Sequence, residues 1–177
     1  MKPNVDYVPD RDVDTEMDRA LRELLTTCFT KKQDVVFRHR RYFVDPYPHR
    51  WVIRDPGGRL VAHVGVHEKC VVAADRVYRV GGIGEVCVHP DCRGRGYVKL
   101  MMNTIHEFLT EREFDFSILF GDHDVYGSSG YRPVSNLYVA EKPNAKPDER
   151  KAVTGLIREL GDRPWPETDV ILLGNKF

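Results

Sequence analysis

A mixed α/β (α+β) fold, with a central β-sheet flanked by helices, is what this sequence predicts, on three observations. First, two segments carry apolar residues at helical spacing: Met17, Ala20, Leu21, Leu24, Leu25 and Cys28, then Val98, Met101, Met102, Ile105, Phe108 and Leu109. Second, several β-rich runs are bounded by strong turn sequences. Third, the run Val77–Val88 is followed by the second helical stripe and then by Phe116–Phe120. That strand–helix–strand crossover makes the two runs parallel neighbours, so the sheet is mixed.

Taken in order, Asp14 or Thr15 caps the first helix. A shorter helix is expected over Asp34–Tyr42. Trp51–Arg54 reads as a strand and runs into the turn Asp55-Pro56-Gly57-Gly58. Leu60–Ala73 and Val77–Val88 read as a hairpin around Ala74-Asp75-Arg76. The long helix covers Arg95–Glu111. Tyr131–Ala140 and Asp169–Leu173 complete the strands, and the two-proline stretch Glu141–Asp148 is the expected flexible segment.

The chain has 177 residues, the size of one domain spanning 1–177. Lys+Arg and Asp+Glu are both 27, so the formal net charge is zero. That argues against nucleic-acid partners and anionic membrane surfaces, which call for a basic excess. No apolar run reaches the ~18 residues of a membrane span. The start, Met1-Lys2-Pro3-Asn4-Val5-Asp6, has no apolar signal region, which points to the cytoplasm. In that compartment Cys28, Cys70, Cys87 and Cys92 are expected as free thiols.

The chemistry concentrates in Val86-Cys87-Val88-His89-Pro90-Asp91-Cys92-Arg93-Gly94-Arg95-Gly96-Tyr97-Val98. A β-rich run ends, two glycines alternate with two arginines, and an amphipathic helix begins. Such a loop puts unpaired backbone N–H groups at the positive end of a helix dipole. Gly94 and Gly96 let a ligand approach the backbone closely, and Arg93 and Arg95 add charge. The result is a phosphate or pyrophosphate cradle. It lacks the Lys-Ser/Thr ending of a P-loop and the glycines of a dinucleotide fingerprint.

Arg93-Gly94-Arg95-Gly96-Tyr97-Val98 resembles the Arg/Gln-x-x-Gly-x-Gly/Ala signature of the GNAT superfamily of acyl-CoA-dependent N-acetyltransferases. It matches at Arg93 and Gly96 and departs at Val98, where the family has a small residue. Tyr126-Gly127-Ser128-Ser129-Gly130-Tyr131 resembles the family's Tyr-x-x-x-Gly-Phe segment. The resemblance is specific over roughly Gly81 to Val134.

The resemblance implies a GNAT-like sheet and direct transfer of an acetyl group from acetyl-CoA to an amine, with no metal. The main chain of Val86, Cys87 and Val88 would hydrogen-bond the pantetheine arm. The N–H groups of Arg93, Gly94, Arg95, Gly96, Tyr97 and Val98 would hold the pyrophosphate. Glu85 stands where the family keeps an acidic base, and Tyr126 matches the tyrosine that protonates the leaving thiolate. An amine is protonated at neutral pH, so a base must free its lone pair. Asp122, His123 and a water chain are alternatives for that base. The ordinary reading of Glu85 is an exposed strand carboxylate or an ion pair, and that of Tyr126 is a packed aromatic. The acceptor is expected to be a small-molecule amine, and the family leaves room for a homodimer. Two other readings stay open: a non-catalytic acyl-CoA-binding or sensing module on the same fold, and an acyltransferase using a longer acyl chain.

Three further patterns read as ordinary structure. Cys87-x-His89-x-x-Cys92 has zinc-like spacing, but a fourth ligand would have to come from Cys70 or His67, and the resembled family needs no metal. Arg38-His39-Arg40-Arg41 is expected to be a solvated helix face. His63 and His67 share a strand face and are expected at the surface, unless the register sets them beside Glu85.

Overall fold

The computed structural model describes residues 3–177. Among them are ten strands and three α-helices. In chain order these are β1 (Asp6–Pro9), α1 (Thr15–Cys28), β2 (His49–Arg54), β3 (Leu60–Ala73), β4 (Arg76–Val88), α2 (Tyr97–Glu111), β5 (Phe116–Leu119), α3 (His123–Tyr126), β6 (Arg132–Val134), β7 (Leu137–Ala140), β8 (Lys151–Ala152), β9 (Gly155–Glu159) and β10 (Val170–Leu173). The chain divides into two compact units. One comprises the chain up to His67 together with Gly84–Ile105, and the other Glu68–Ile83 together with His106–Phe177.

In the first unit α1 forms as its sequence dictates. Asp14 caps it by accepting from the Met17 N–H at 2.8 Å, and Glu16 and Asp18 sit favourably at the positive end of the dipole. Its buried stripe, Met17, Leu21, Leu24 and Leu25, packs with Phe37, Val52, Leu60 and Cys87. β1, β2 and β3 pair antiparallel, with Val52 opposite His63 and Arg50 opposite Gly65. The turn between β2 and β3 is fixed by Asp55 Oδ1, which accepts from Gly57 N and Arg59 N at 3.0 Å.

The segment expected as a helix over Asp34–Tyr42 is instead a 3-10 helix, Lys32–Arg38, followed by irregular chain. Two interactions end it. Arg22 Nη1 donates to the Arg38 carbonyl at 3.1 Å. Arg41 is drawn into ion pairs with Asp10 and Asp18 at 2.9 and 3.0 Å. Residues 38–41 are therefore not one solvated helix face.

In the second unit the strand order is β6-β9-β5-β4-β3-β10-β7-β8. β4 and β5 are parallel from Val80↔Phe116 to Ile83↔Leu119, as the crossover requires. The core gathers Val71, Tyr78, Val80, Phe116, Ile118, Leu137, Ile157, Trp165, Val170 and Leu172. Tyr131–Ala140 is two strands rather than one. β6 pairs with β9, whereas β7 pairs with β10 and β8. Asn136 sits at the break, donating to Pro166 O and Thr168 O at 2.8 and 2.6 Å and accepting from Trp165 Nε1 at 2.9 Å. Within Glu141–Asp148, expected as a flexible stretch, Ala145 is buried against Ala140 and Ile171. Among the described residues no helix is long and apolar enough to cross a membrane.

Candidate active site

The first unit carries most of the candidate site. At Glu85 the backbone of β4 turns left-handed, with φ at +50°. For a residue with a Cβ this costs on the order of 1–2 kcal/mol. The kink turns a partly buried carboxylate against the segment before β2. Oε1 accepts from the Phe43 N–H at 2.6 Å, and Oε2 is buried without a partner. Burial pushes the carboxyl up to about 7, against the opposing pull of the Phe43 N–H and the charges of Arg50 and Arg40. A group that ionises near neutrality and keeps one oxygen free is chemically a proton acceptor.

His63 is fully buried on β3, not at the surface, and its Nδ1 lies 2.9 Å from the Glu85 carbonyl. A carbonyl only accepts, so Nδ1 carries the hydrogen and Nε2 holds a bare lone pair. Nε2 is buried and unpartnered too. Burial, reinforced by the charge of Arg50, brings this imidazole down to about 3, so it is neutral at physiological pH.

Tyr47 lies over these groups. A Cβ at Gly65 would fall 2.6 Å from its ring, and one at Gly84 would overlap its hydroxyl. Glycine is weak in a strand interior, and here it makes room for the ring. The ring also stacks on buried His67 with centroids 4.1 Å apart. Burial and the neighbouring Glu85 charge push the phenol well above its ordinary value.

Downstream, His89 N donates to the Val61 carbonyl at 2.8 Å, and Pro90–Cys92 makes a 3-10 turn. The Arg93 amide closes that turn onto Pro90 O at 3.3 Å. Gly94 and Gly96 both sit at φ +74°, with nothing within 4 Å of where a Cβ would stand. Backbone conformation, not crowding, is therefore what calls for glycine. Leu100 N closes the first turn of α2 onto Gly96 O at 3.0 Å, so the amides around Gly96–Val98 open at the helix N-terminus. Arg93 Nε donates to Val88 O at 3.3 Å and Arg95 Nη2 to Asp91 O at 3.2 Å. Open amides, a dipole and two guanidiniums in an exposed loop suit a diphosphate.

Cys87, within the strand segment assigned to the pantetheine, turns its thiol into the α1 core and meets Cys28 there. This contact, with the Arg93 charge, lowers the Cys28 pKa, while contact and burial hold Cys87 well above its ordinary value. All four cysteines are free thiols. Among the described residues no group of three or more His, Cys, Asp or Glu side chains is arranged to hold a metal.

Tyr126 belongs to the second unit. It ends α3, is partly buried, meets Tyr131 edge-on at 6.2 Å between centroids, and packs closely on Gly121. Asp122 caps α3 by accepting from Asp124 N at 3.0 Å, and it and His123 are exposed. Sequence reasoning thus marked Glu85 and the cradle but missed Tyr47, Arg50 and the Phe43 N–H. Gly65 and Gly84, isolated inside strands, were the available signal that something packs closely there.

A strand with a kinked carboxylate, a glycine-rich turn, a long helix and a parallel return strand make the frame of an acyltransferase. The model of the acetyltransferase (GNAT) domain family matches residues 11–134, and the chain belongs to that family. Among solved structures, the GNAT family N-acetyltransferase YhbS from Escherichia coli, in complex with CoA, superposes with a TM-score of 0.69 at 14% identity. That match covers 98% of this chain and 90% of that one. The ribosomal-protein-S18-alanine N-acetyltransferase from Escherichia coli gives 0.56 at 11% identity, over 92% and 97% of the two chains. A GCN5-related N-acetyltransferase from Anabaena variabilis gives 0.57 at 16% identity over 75% of this chain, which spans only 33% of that one. At these identities the likeness is one of fold. No curated protein matches the chain.

Proposed function

We propose that this chain is a cytoplasmic N-acetyltransferase that moves the acetyl group of acetyl-CoA to the amine of a small-molecule acceptor by direct attack. The observation that carries this reading is Glu85: a carboxyl raised to about 7, with Oε2 free, on the strand that leads into the cradle. Acetyl-CoA supplies a thioester carbonyl as the electrophile.

The residues of the chain do the rest. The open amides from Gly94 to Val98 and the charges of Arg93 and Arg95 bind the diphosphate. Main-chain groups of Val86, Cys87 and Val88 align the pantetheine arm. Glu85 Oε2 takes the proton that the attacking amine must lose, and the Phe43 N–H holds the carboxylate in place through Oε1. The neutral His63 fixes the Glu85 carbonyl, and with it the left-handed backbone that aims the side chain. Tyr126 gives a proton to the departing thiolate. A thiolate whose conjugate acid has a pKa near that of cysteine, about 8.5, gains modestly from such a donor.

The test is thiol release from acetyl-CoA across a diverse amine panel, with longer acyl-CoAs in parallel. The expected result is turnover with acetyl-CoA and at least one amine, lowered roughly 100- to 1,000-fold in Glu85→Gln, as for loss of a general base. Coenzyme A binding without turnover on any amine would instead identify a sensing module.

A further inference from the structure

Five buried side-chain nitrogen and oxygen atoms among the described residues lack a hydrogen-bond partner, and four fall in one place beside Tyr47. They are Arg50 Nε and Nη1, His63 Nε2 and Glu85 Oε2. Arg50 and His63 are both 0% exposed. Arg50 sits on β2 opposite Gly65, two residues along β3 from His63, and its guanidinium lies 5.8 Å from the Tyr47 centroid. Its third nitrogen, Nη2, donates to Asp10 Oδ1 at 2.8 Å, and Asp10 is shared with Arg41. An unmet N–H on a buried guanidinium is expensive, so such groups are normally answered by something.

The unmet groups are of two kinds. Arg50 offers N–H donors and a positive charge, while Glu85 Oε2 and His63 Nε2 offer lone pairs. A simple amine would satisfy the second kind and leave the first unmet, and a polyamine would bring a second cation towards Arg50. A molecule with an ammonium and a carboxylate a few bonds apart answers both.

We infer that the acceptor is a free α-amino acid, its carboxylate received by Arg50 and its amine presented to Glu85. This rests on the acetyl-transfer reading above and narrows the acceptor class within it. Arg50 is then a specificity-determining residue. The irregular segment 40–48, with Phe43 and Val44 exposed, lies against this site through the hydrogen bond from the Phe43 N–H to Glu85.

The experiment pairs each amino acid with its decarboxylated amine — serine with ethanolamine, phenylalanine with phenethylamine, lysine with cadaverine. Thiol release is measured for each, and binding is measured calorimetrically on the protein saturated with coenzyme A. For at least one pair, the amino acid should exceed its amine by roughly 10–100-fold in kcat/KM, the worth of a hydrogen bond to a charged group. Arg50→Met should abolish that preference and Arg50→Lys should keep part of it. The comparison within the wild-type protein decides the matter even where a variant fails to fold. Amines acetylated as well as their amino acids would overturn the inference and leave acetyl transfer standing. Heat from amino acids, lost in Arg50→Met but without thiol release, would uphold the site and overturn acetyl transfer. Heat from neither member of any pair would overturn the site.

Discussion

Within twelve residues the chain turns left-handed three times, at Glu85, Gly94 and Gly96, and the contrast between these positions is instructive. In the cradle the turns fall on glycine, in open solvent, where the conformation is nearly free of cost. At those two positions the loop presents backbone alone, and the charge comes from the neighbouring Arg93 and Arg95. At Glu85 the same conformation is imposed on a residue with a Cβ, beneath Tyr47, beside unmet polar atoms. Glycine there would relieve the strain, and it would also remove the carboxyl. Strain retained at a position with a half-satisfied carboxyl is the reason to propose Glu85 as the reacting group.

The sharpest way to break this contrast is to alter the two regions separately. Glu85→Gln should leave coenzyme A affinity within a few-fold and lower kcat/KM by roughly 100–1,000-fold; calorimetry and thiol release on the same preparation check both halves. Gly96→Ala should do the reverse. It should weaken coenzyme A binding about tenfold through loss of the left-handed turn, at a stability cost of about 1–2 kcal/mol.

The pH dependences differ as well. The base proposed at Glu85 works only when deprotonated, so kcat/KM should rise with pH through about 7. Stability should run the other way. The folded pKa lies above the unfolded value near 4.5, so the folded state binds more protons between these limits. Stability should therefore fall as pH rises from 4.5 to 7, and Glu85→Gln should recover at pH 8 up to about 3 kcal/mol, read by denaturant melts. Wild type and variant should converge near pH 4.

Two smaller effects sharpen the picture. Gly84→Ala places a methyl group against the Tyr47 hydroxyl and should cost about 1–3 kcal/mol as the ring is displaced. Tyr126→Phe should lower turnover several-fold while leaving coenzyme A affinity intact; unchanged turnover would remove its role as proton donor.

The same contrast explains what could be read from the amino acids alone. The glycine turn is local: its glycines, arginines and following helix are contiguous, so the left-handed turns and the open helix start at Arg93–Val98 were legible. So were α1, with Asp14 and its apolar stripe, the β3–β4 hairpin, and the parallel pairing of β4 with β5. The environment of Glu85 is not local. Phe43, Tyr47, Arg50 and His63 reach it from 22 to 42 positions away, through a register that no short pattern encodes. β1 and β9 escaped notice because four or five residues carry little periodic signal. The break at Asn136 escaped because its cause, Trp165 and the Pro166 and Thr168 carbonyls, lies some thirty residues on.

The most direct measurement is a carbon-13 NMR titration of the glutamate carboxyls, with Glu85 assigned by its absence in Glu85→Gln. A buried, half-satisfied base should titrate with a midpoint near 7. A midpoint near 4.5 would mean an ordinary solvated carboxylate and would contradict the role given to Glu85.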